Sequence, residues 1–308
     1  MTKLRISIVQ YLNTAPLVRG FTHGPLQSKY DLSFTVPSLC ADALRSGAAD
    51  VAIIPAVEYQ RIPGLVVLPD LSISSKERVR SLLVLSRVPI RRARSIALDR
   101  SSRSTQALVK ILCDARWQIA PQFSEAAPDA AEMLGSADAA LVIGDPALRI
   151  AIAAETRAKP GPGGEWLCEG KTVGLPAVGE LHIYDVVREW WQMTERPAVL
   201  AVWAARPEIA TPELVADFSA SLEFGLAHLG EICAEASKEL QLPERELLLY
   251  LRTNIDYSLD EENLKGLLTY YGHCARLGLI ERMQAVSIAG RGGSPARHLG
   301  FTSASRSA

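Results

Sequence analysis

The sequence predicts an α/β protein of two lobes with a helical C-terminal segment. Short apolar runs alternate with helical stretches through the first half, while the last third carries helix caps and apolar stripes at helical spacing. A length of 308 residues suits two cores better than one swollen core.

The elements follow in order. Leu4–Val9, Leu32–Val36, Ala52–Ile54, Leu65–Leu68, Ser81–Leu85, Ser95–Leu98 and Ala139–Ile143 read as strands. Their apolar residues are continuous rather than alternating, which suits strands covered on both faces and points to a parallel sheet. Ser38–Ser46 has helical spacing. After Leu98-Asp99, four hydroxyl residues (Ser101, Ser102, Ser104, Thr105) precede a helix with Leu108, Ile111 and Leu112 on one face. Further on, Thr211-Pro212-Glu213 gives an N-cap, a first-turn proline and an acid. Leu214, Phe218, Leu222, Leu226 and Leu229 continue that helix. Ser258 with Glu261 forms a capping box for a helix that ends near Gly278.

The polar joint Arg87–Arg94 lies between two apolar strands, and the apolar run Ala198–Ala205 lies far downstream. Read as an outward and a return crossing, they divide the chain into a discontinuous first lobe, residues 1–88 plus 200–285, and an inserted second lobe, 89–199. Residues 286–308 are Gly/Ser/Ala/Arg-rich without periodicity and read as a tail. A cleft between the lobes is the natural ligand site.

Composition narrows the function. The 33 basic and 34 acidic residues leave a net charge of −1, so binding to nucleic acid by bulk electrostatics is not expected. No apolar stretch reaches the ~18–20 residues of a membrane span. Arg5 and Gln10 interrupt any signal-peptide core, and a cytoplasmic protein is expected. Five scattered cysteines with no CxxC pair suggest buried thiols rather than disulfides or zinc. No nucleotide-binding glycine loop, HExxH or GxSxG occurs, so neither a metal nor a cofactor is expected.

Five segments are candidates for chemistry. In YLNTAPL, Asn13 and Thr14 follow the first strand, where open α/β sheets bind ligands; a helix cap is the competing role for Asn13. The cluster Ser101–Thr105, with Arg103, could bind an anion at a helix start or simply cap it. Between Lys76 and Arg103 there are nine basic residues and two acids, a local surplus of seven that could draw an anionic ligand or form a solvated face. It lacks the interleaved aromatics that single-stranded nucleic acid wants. In IGDPAL, Gly144 permits close backbone approach, and Asp145 is a cap or a site carboxylate. In IPAVEY a strand ends at Pro55, with Glu58 just beyond.

In this order, YLNTAPL, DVAIIPAVEY, RSLLVLS, ALDRSSRSTQALVKIL, ADAALVIGDPAL and WWQMTERPAVLAVW resemble the chorismate dehydratase (MqnA) family of the futalosine route to menaquinone, over residues 3–280. The resemblance implies a two-lobed fold like the type II periplasmic binding proteins. It also implies dehydration of chorismate to 3-[(1-carboxyvinyl)oxy]benzoate. The asparagine that the family associates with catalysis falls on Asn13, the serine-rich helix start on Ser102, Ser104 and Thr105, and the strand serine on Ser81. The family's glycine-leucine-proline step is replaced by Glu195-Arg196-Pro197, which bears on the hinge.

Chorismate is a dianion, so a hydroxyl-rich helix start is a suitable anchor. Its dehydration aromatises the ring and needs no cofactor or metal. Neutral Asn13 would act by hydrogen bonding, and the base would be Asp145 or a carboxylate of the substrate. The expected substrate contacts are Thr14, Pro55, Ser81, Ser102, Arg103, Ser104, Thr105 and Gly144. The expected partner is a small dianionic molecule, without nucleic acid or membrane; a homodimer is left open. The competing readings are 1,4-dihydroxy-6-naphthoate synthase of the same pathway, a non-catalytic solute-binding protein and a regulator's effector domain.

Overall fold

A computed structural model describes residues 3–290 and the backbone of 297–299. The chain builds the strands β1 Arg5–Val9, β2 Asp31–Thr35, β3 Val51–Pro55 and β4 Val66–Ser75, then leaves for a second sheet. That sheet takes β5 Leu82–Ser86, β6 Ser95–Asp99, β7 Gln122–Ala126, β8 Ala139–Ile143, β9 Lys159–Pro160, β10 Trp166–Glu169 and β11 Glu180–Asp185. The chain then returns to the first sheet with β12 Ala198–Ala205, β13 Val286–Ile288 and β14 Arg297–Leu299. The strand orders are β14-β13-β4-β12-β3-β1-β2 and β7-β6-β8-β5-β11-β10-β9.

The helices are α1 Ala15–Thr22, α2 Pro37–Ser46, α3 Ala56–Arg61, α4 Arg103–Leu112, α5 Ala130–Ser136, α6 Gly144–Glu155, α7 Val186–Thr194, α8 Pro212–Ala227, α9 Leu229–Leu240, α10 Glu244–Leu249 and α11 Glu261–Arg276. No described helix is long and apolar enough to cross a membrane.

Both sheets are mixed, which corrects the parallel expectation. β1 runs parallel to β2 and β3, and β6 parallel to β7 and β8. β12 is antiparallel to β3 and β4, and β5 antiparallel to β8 and β11. A continuous apolar run reports cover on both faces, not strand direction. On β5, Leu82 and Val84 join the core that continues into the first lobe, while Leu83 and Leu85 join a second core on the opposite face.

The outward crossing lies at residues 76–81, upstream of the expected joint, so the first-lobe boundary at residue 88 is corrected. β5 pairs only within the second sheet, and Ile90–Arg92 is a short 3-10 turn inside that lobe. Buried charge pins the crossing. Asp185 accepts from the N–H groups of Val79 and Arg80 and caps α7 through those of Val187 and Arg188. The buried Arg80 guanidinium bridges Glu155 of α6 and Glu246 of α10 at 2.6 and 2.7 Å.

The C-terminal helices pack on the first lobe. Thr211 caps α8 by accepting from Leu214 N–H. The backbone of α8 meets α1 at Gly225, where an added Cβ would lie 1.9 Å from the Pro16 carbonyl oxygen, so only glycine fits. Asp260, not Ser258, caps α11 by accepting from Asn263 N–H. The Ser258 hydroxyl is held by Asp256 instead.

The expected tail is also corrected at its start. Val286 and Ile288 are buried against the first sheet, and Ala289 N–H donates to Val67 O. Residues 291–296 and 300–308 of the expected tail lie outside the described residues. All five cysteines are buried and free.

Candidate active site

Both lobes line a narrow cavity of about 50 Å³ at their seam, smaller than the sites that enclose a drug-sized ligand. Asn13, Pro55, Ser81, Ser102, Thr105 and Gly144 line it. Tyr11, Ile73 and Leu200 are among the remaining lining residues, and none of the lining side chains is charged.

Asn13 sits on the 3-10 turn Leu12–Thr14 between β1 and α1. Neither that turn nor α1 carries a side-chain cap hydrogen bond, so the capping role is not used. The buried Thr14 hydroxyl donates to Asn13 Oδ1 at 3.3 Å. That bond orients the amide with its NH2 as the donor side, toward the Tyr250 phenol. Thr14 is absent from the cavity lining and is linked to it by that bond to Asn13.

Ser102 is the N-cap residue of α4, yet its hydroxyl makes no cap bond. It pairs instead with the Thr105 hydroxyl at 2.8 Å. The first N–H groups of α4 have no intrahelical acceptor, and both hydroxyls face the cavity beside them. Ser101 is taken by Asp99, which accepts from its N–H and hydroxyl at 2.9 and 2.6 Å. Burial raises the Asp99 pKa above the usual carboxylate range.

Two members of the serine-rich motif have protein partners outside the cavity. Ser104 Oγ accepts from Val57 N–H at 3.1 Å, tying α4 to α3. Arg103 pairs with Asp42 at 2.9 Å and Glu58 at 3.1 Å. Glu58 is 1 % exposed and also binds Arg45 and Arg61. Much of the basic surplus in 76–103 is neutralised in the same way. Lys76 pairs with Glu262, and Arg78 and Arg80 with Glu155. Arg91, Arg92 and Arg94 line a separate surface hollow.

Gly144 has φ +68°, and an added Cβ would stand 2.7 Å from the Tyr11 ring. Its N–H donates to Ser81 O at 2.8 Å. Asp145, one residue on, is absent from the lining of this cavity. It accepts from Leu12 N–H at 3.1 Å and lines an outer hollow with His23, Glu235 and Glu239. Burial pushes its pKa up to about 6.

Two tyrosines went unassigned in the sequence. Tyr11 lies inside the YLNTAPL motif, where its proximity to Asn13 was the available signal. Burial raises its pKa, and Asp99 and Asp145 add to the shift. Tyr250 follows α10 in LLLYLRTN, a stretch with no motif, and its hydroxyl donates to Ser81 Oγ at 2.8 Å. Among the described residues no group of three or more His, Cys, Asp or Glu side chains is placed to hold a metal ion.

Two mixed sheets joined by two crossings, with a cavity at the seam, give the two-lobed fold that periplasmic binding proteins also have. Solved structures agree on the fold. A protein from Archaeoglobus fulgidus superposes with TM-score 0.65 at 16% identity, covering 90% of this chain and 98% of that one. The alkanesulfonate-binding protein of Xanthomonas axonopodis pv. citri, bound to MOPS, gives 0.60 at 15% identity, covering 90% and 93%. The chain belongs to the menaquinone biosynthesis family, whose model matches residues 4–276. It is 27% identical over 268 residues to the chorismate dehydratase of Thermus thermophilus, covering 86% of this chain and 93% of that protein.

Proposed function

We propose that the protein is a chorismate dehydratase, a hydro-lyase converting chorismate to 3-[(1-carboxyvinyl)oxy]benzoate and water in menaquinone biosynthesis. The observation that carries this reading is a charge-free cavity that offers the Asn13 amide, the hydroxyls of Ser81, Ser102 and Thr105, and the start of α4. The Thermus thermophilus relative supports the choice of substrate. The same reading places the work in the cytoplasm, on a dianionic small molecule and without nucleic acid.

In the reaction one ring C–H bond and the C–O bond to the hydroxyl break, a new double bond completes the aromatic ring, and the proton and hydroxide leave as water. Aromatisation supplies the driving force. The α4 N–H groups and the Ser102–Thr105 pair would hold one carboxylate. The Asn13 amide would donate to the departing hydroxyl, stabilising charge as it develops. With no acid or base lining the cavity and Asp145 turned outward, a carboxylate of the substrate is favoured as the proton acceptor.

The test is incubation of purified protein with chorismate and identification of the product by chromatography and NMR. Formation of the carboxyvinyloxy-benzoate is the expected result. Chorismate that binds but persists unchanged would instead support the binding-protein reading.

A further inference from the structure

Tyr250 brings the C-terminal helices into the cavity. It opens the π-helical turn Tyr250–Asn254 after α10, is 1 % exposed, and donates to Ser81 Oγ from 169 positions away. Other buried tyrosines of this region behave differently. Tyr270 and Tyr271 donate to the backbone carbonyls of Ser104 and Ala56 at 3.0 and 2.7 Å. A carbonyl has no proton of its own, so those bonds end there. The Tyr250 bond ends on a hydroxyl that does have one.

A serine hydroxyl carries one proton and two acceptor lone pairs, and it rotates to suit its surroundings. When Tyr250 donates to one lone pair, Ser81 is biased to aim its own proton elsewhere. The open space beside Oγ is the cavity, which Ser81 lines. Burial holds the Tyr250 phenol protonated well above its ordinary range, so it stays a donor at working pH. The Asn13 side chain also interacts with that phenol, which couples the pair to the residue at the start of α1.

We propose that Tyr250 is a positioning residue that sets Ser81 as a hydrogen-bond donor to an anionic oxygen of the bound ligand, and so favours acids over their neutral counterparts. Chorismate as the ligand rests on the proposed function; the donor polarity of Ser81 does not. A carboxylate can only accept hydrogen bonds, and a site whose hydroxyls are committed as donors matches it without reorganisation. Charge-assisted bonds of this kind are about twice as strong as neutral ones.

The test compares wild type with Tyr250→Phe, Ser81→Ala and the double variant. Four readouts are taken: kcat and KM for chorismate, calorimetric Kd for 3-(carboxymethoxy)benzoate, Kd for its dimethyl ester, and the thermal midpoint. Tyr250→Phe keeps the ring and removes one hydroxyl. KM and the dicarboxylate Kd should rise about 5–10-fold, with kcat within about threefold, while the ester's Kd and the thermal midpoint hardly change. In the Ser81→Ala background the Tyr250→Phe effect should vanish. Undiminished dicarboxylate affinity in folded Tyr250→Phe, or an effect that persists at full size in Ser81→Ala, overturns the proposal. Should Tyr250→Phe fail to fold, Ser81→Ala decides alone, and unchanged dicarboxylate affinity again overturns it. Wild-type protein that binds the dicarboxylate without turning over chorismate, with these variant effects intact, sinks the dehydratase reading and supports this one.

Discussion

The carboxylate of Asp145, in the second lobe, accepts a hydrogen bond from the backbone N–H of Leu12, in the first, at 3.1 Å. Beside it the Tyr11 ring lies against Gly144 so closely that no Cβ would fit. The side chain that looked like a base is therefore part of the seam between the lobes, and its titration bears on stability.

Burial raises the Asp145 pKa to about 6. A carboxyl with a raised folded pKa binds its proton more tightly in the folded state than in the unfolded one. Its contribution to stability therefore falls as pH rises from about 4 to about 6, and levels off above that. Asp145→Asn should remove this slope and gain on the order of 2 kcal/mol at pH 7, read by denaturant unfolding at several pH values. Its kcat for chorismate should stay within about threefold of wild type; a loss of about 100-fold would restore Asp145 as the base.

Asn13→Ala should lower kcat by about 10²–10³ with little change in KM, the cost of one donor to developing charge. Steady-state kinetics on chorismate checks this. Asn13→Asp should instead raise KM, because it places a carboxylate in a charge-free cavity facing a dianion. Full turnover by Asn13→Ala would remove Asn13 from the mechanism.

Gly144→Ala combines a left-handed backbone with a clash on the Tyr11 ring. Unfolding free energy should drop by about 1–3 kcal/mol, and activity should fall with it because Gly144 and Tyr11 both line the cavity. A thermal melt and an activity assay on the same preparation test both halves. A variant as stable as wild type would show that the seam relaxes freely.

Arg103 and the Ser102–Thr105 pair should separate cleanly although they share one turn. Arg103→Ala removes a partner of buried Glu58, which keeps Arg45 and Arg61. We expect a loss of about 1–2 kcal/mol of stability, with KM nearly unchanged. Ser102→Ala with Thr105→Val should leave stability close to wild type and raise KM about 10-fold. The reverse pattern would make Arg103 the anion contact.

The succession of strands and helices was legible because its signals are local. Apolar runs mark β1, β3 and β8, Thr211-Pro212 marks the start of α8, and the stretch after Asp99 marks α4. Asn13, Ser81, Ser102, Thr105, Pro55 and Gly144 stand at the ends of such elements, and the fold brings them to one cavity. The capping box at Ser258 misled because Asp260, two residues on, is the better-placed acceptor for Asn263 N–H.

By itself, then, the sequence determined which segments are strands and helices and which residues stand where strands end, since backbone preference and side-chain period act over a few residues. Tertiary structure alone decided that β5 joins the second sheet, that Asp145 faces Leu12, that Arg103 answers Glu58, and that Tyr250 reaches Ser81. Those outcomes depend on partners 45 to 169 positions away. A charge or a hydroxyl takes whichever satisfied partner the packed chain presents, because leaving it buried and unpaired costs more than any local preference.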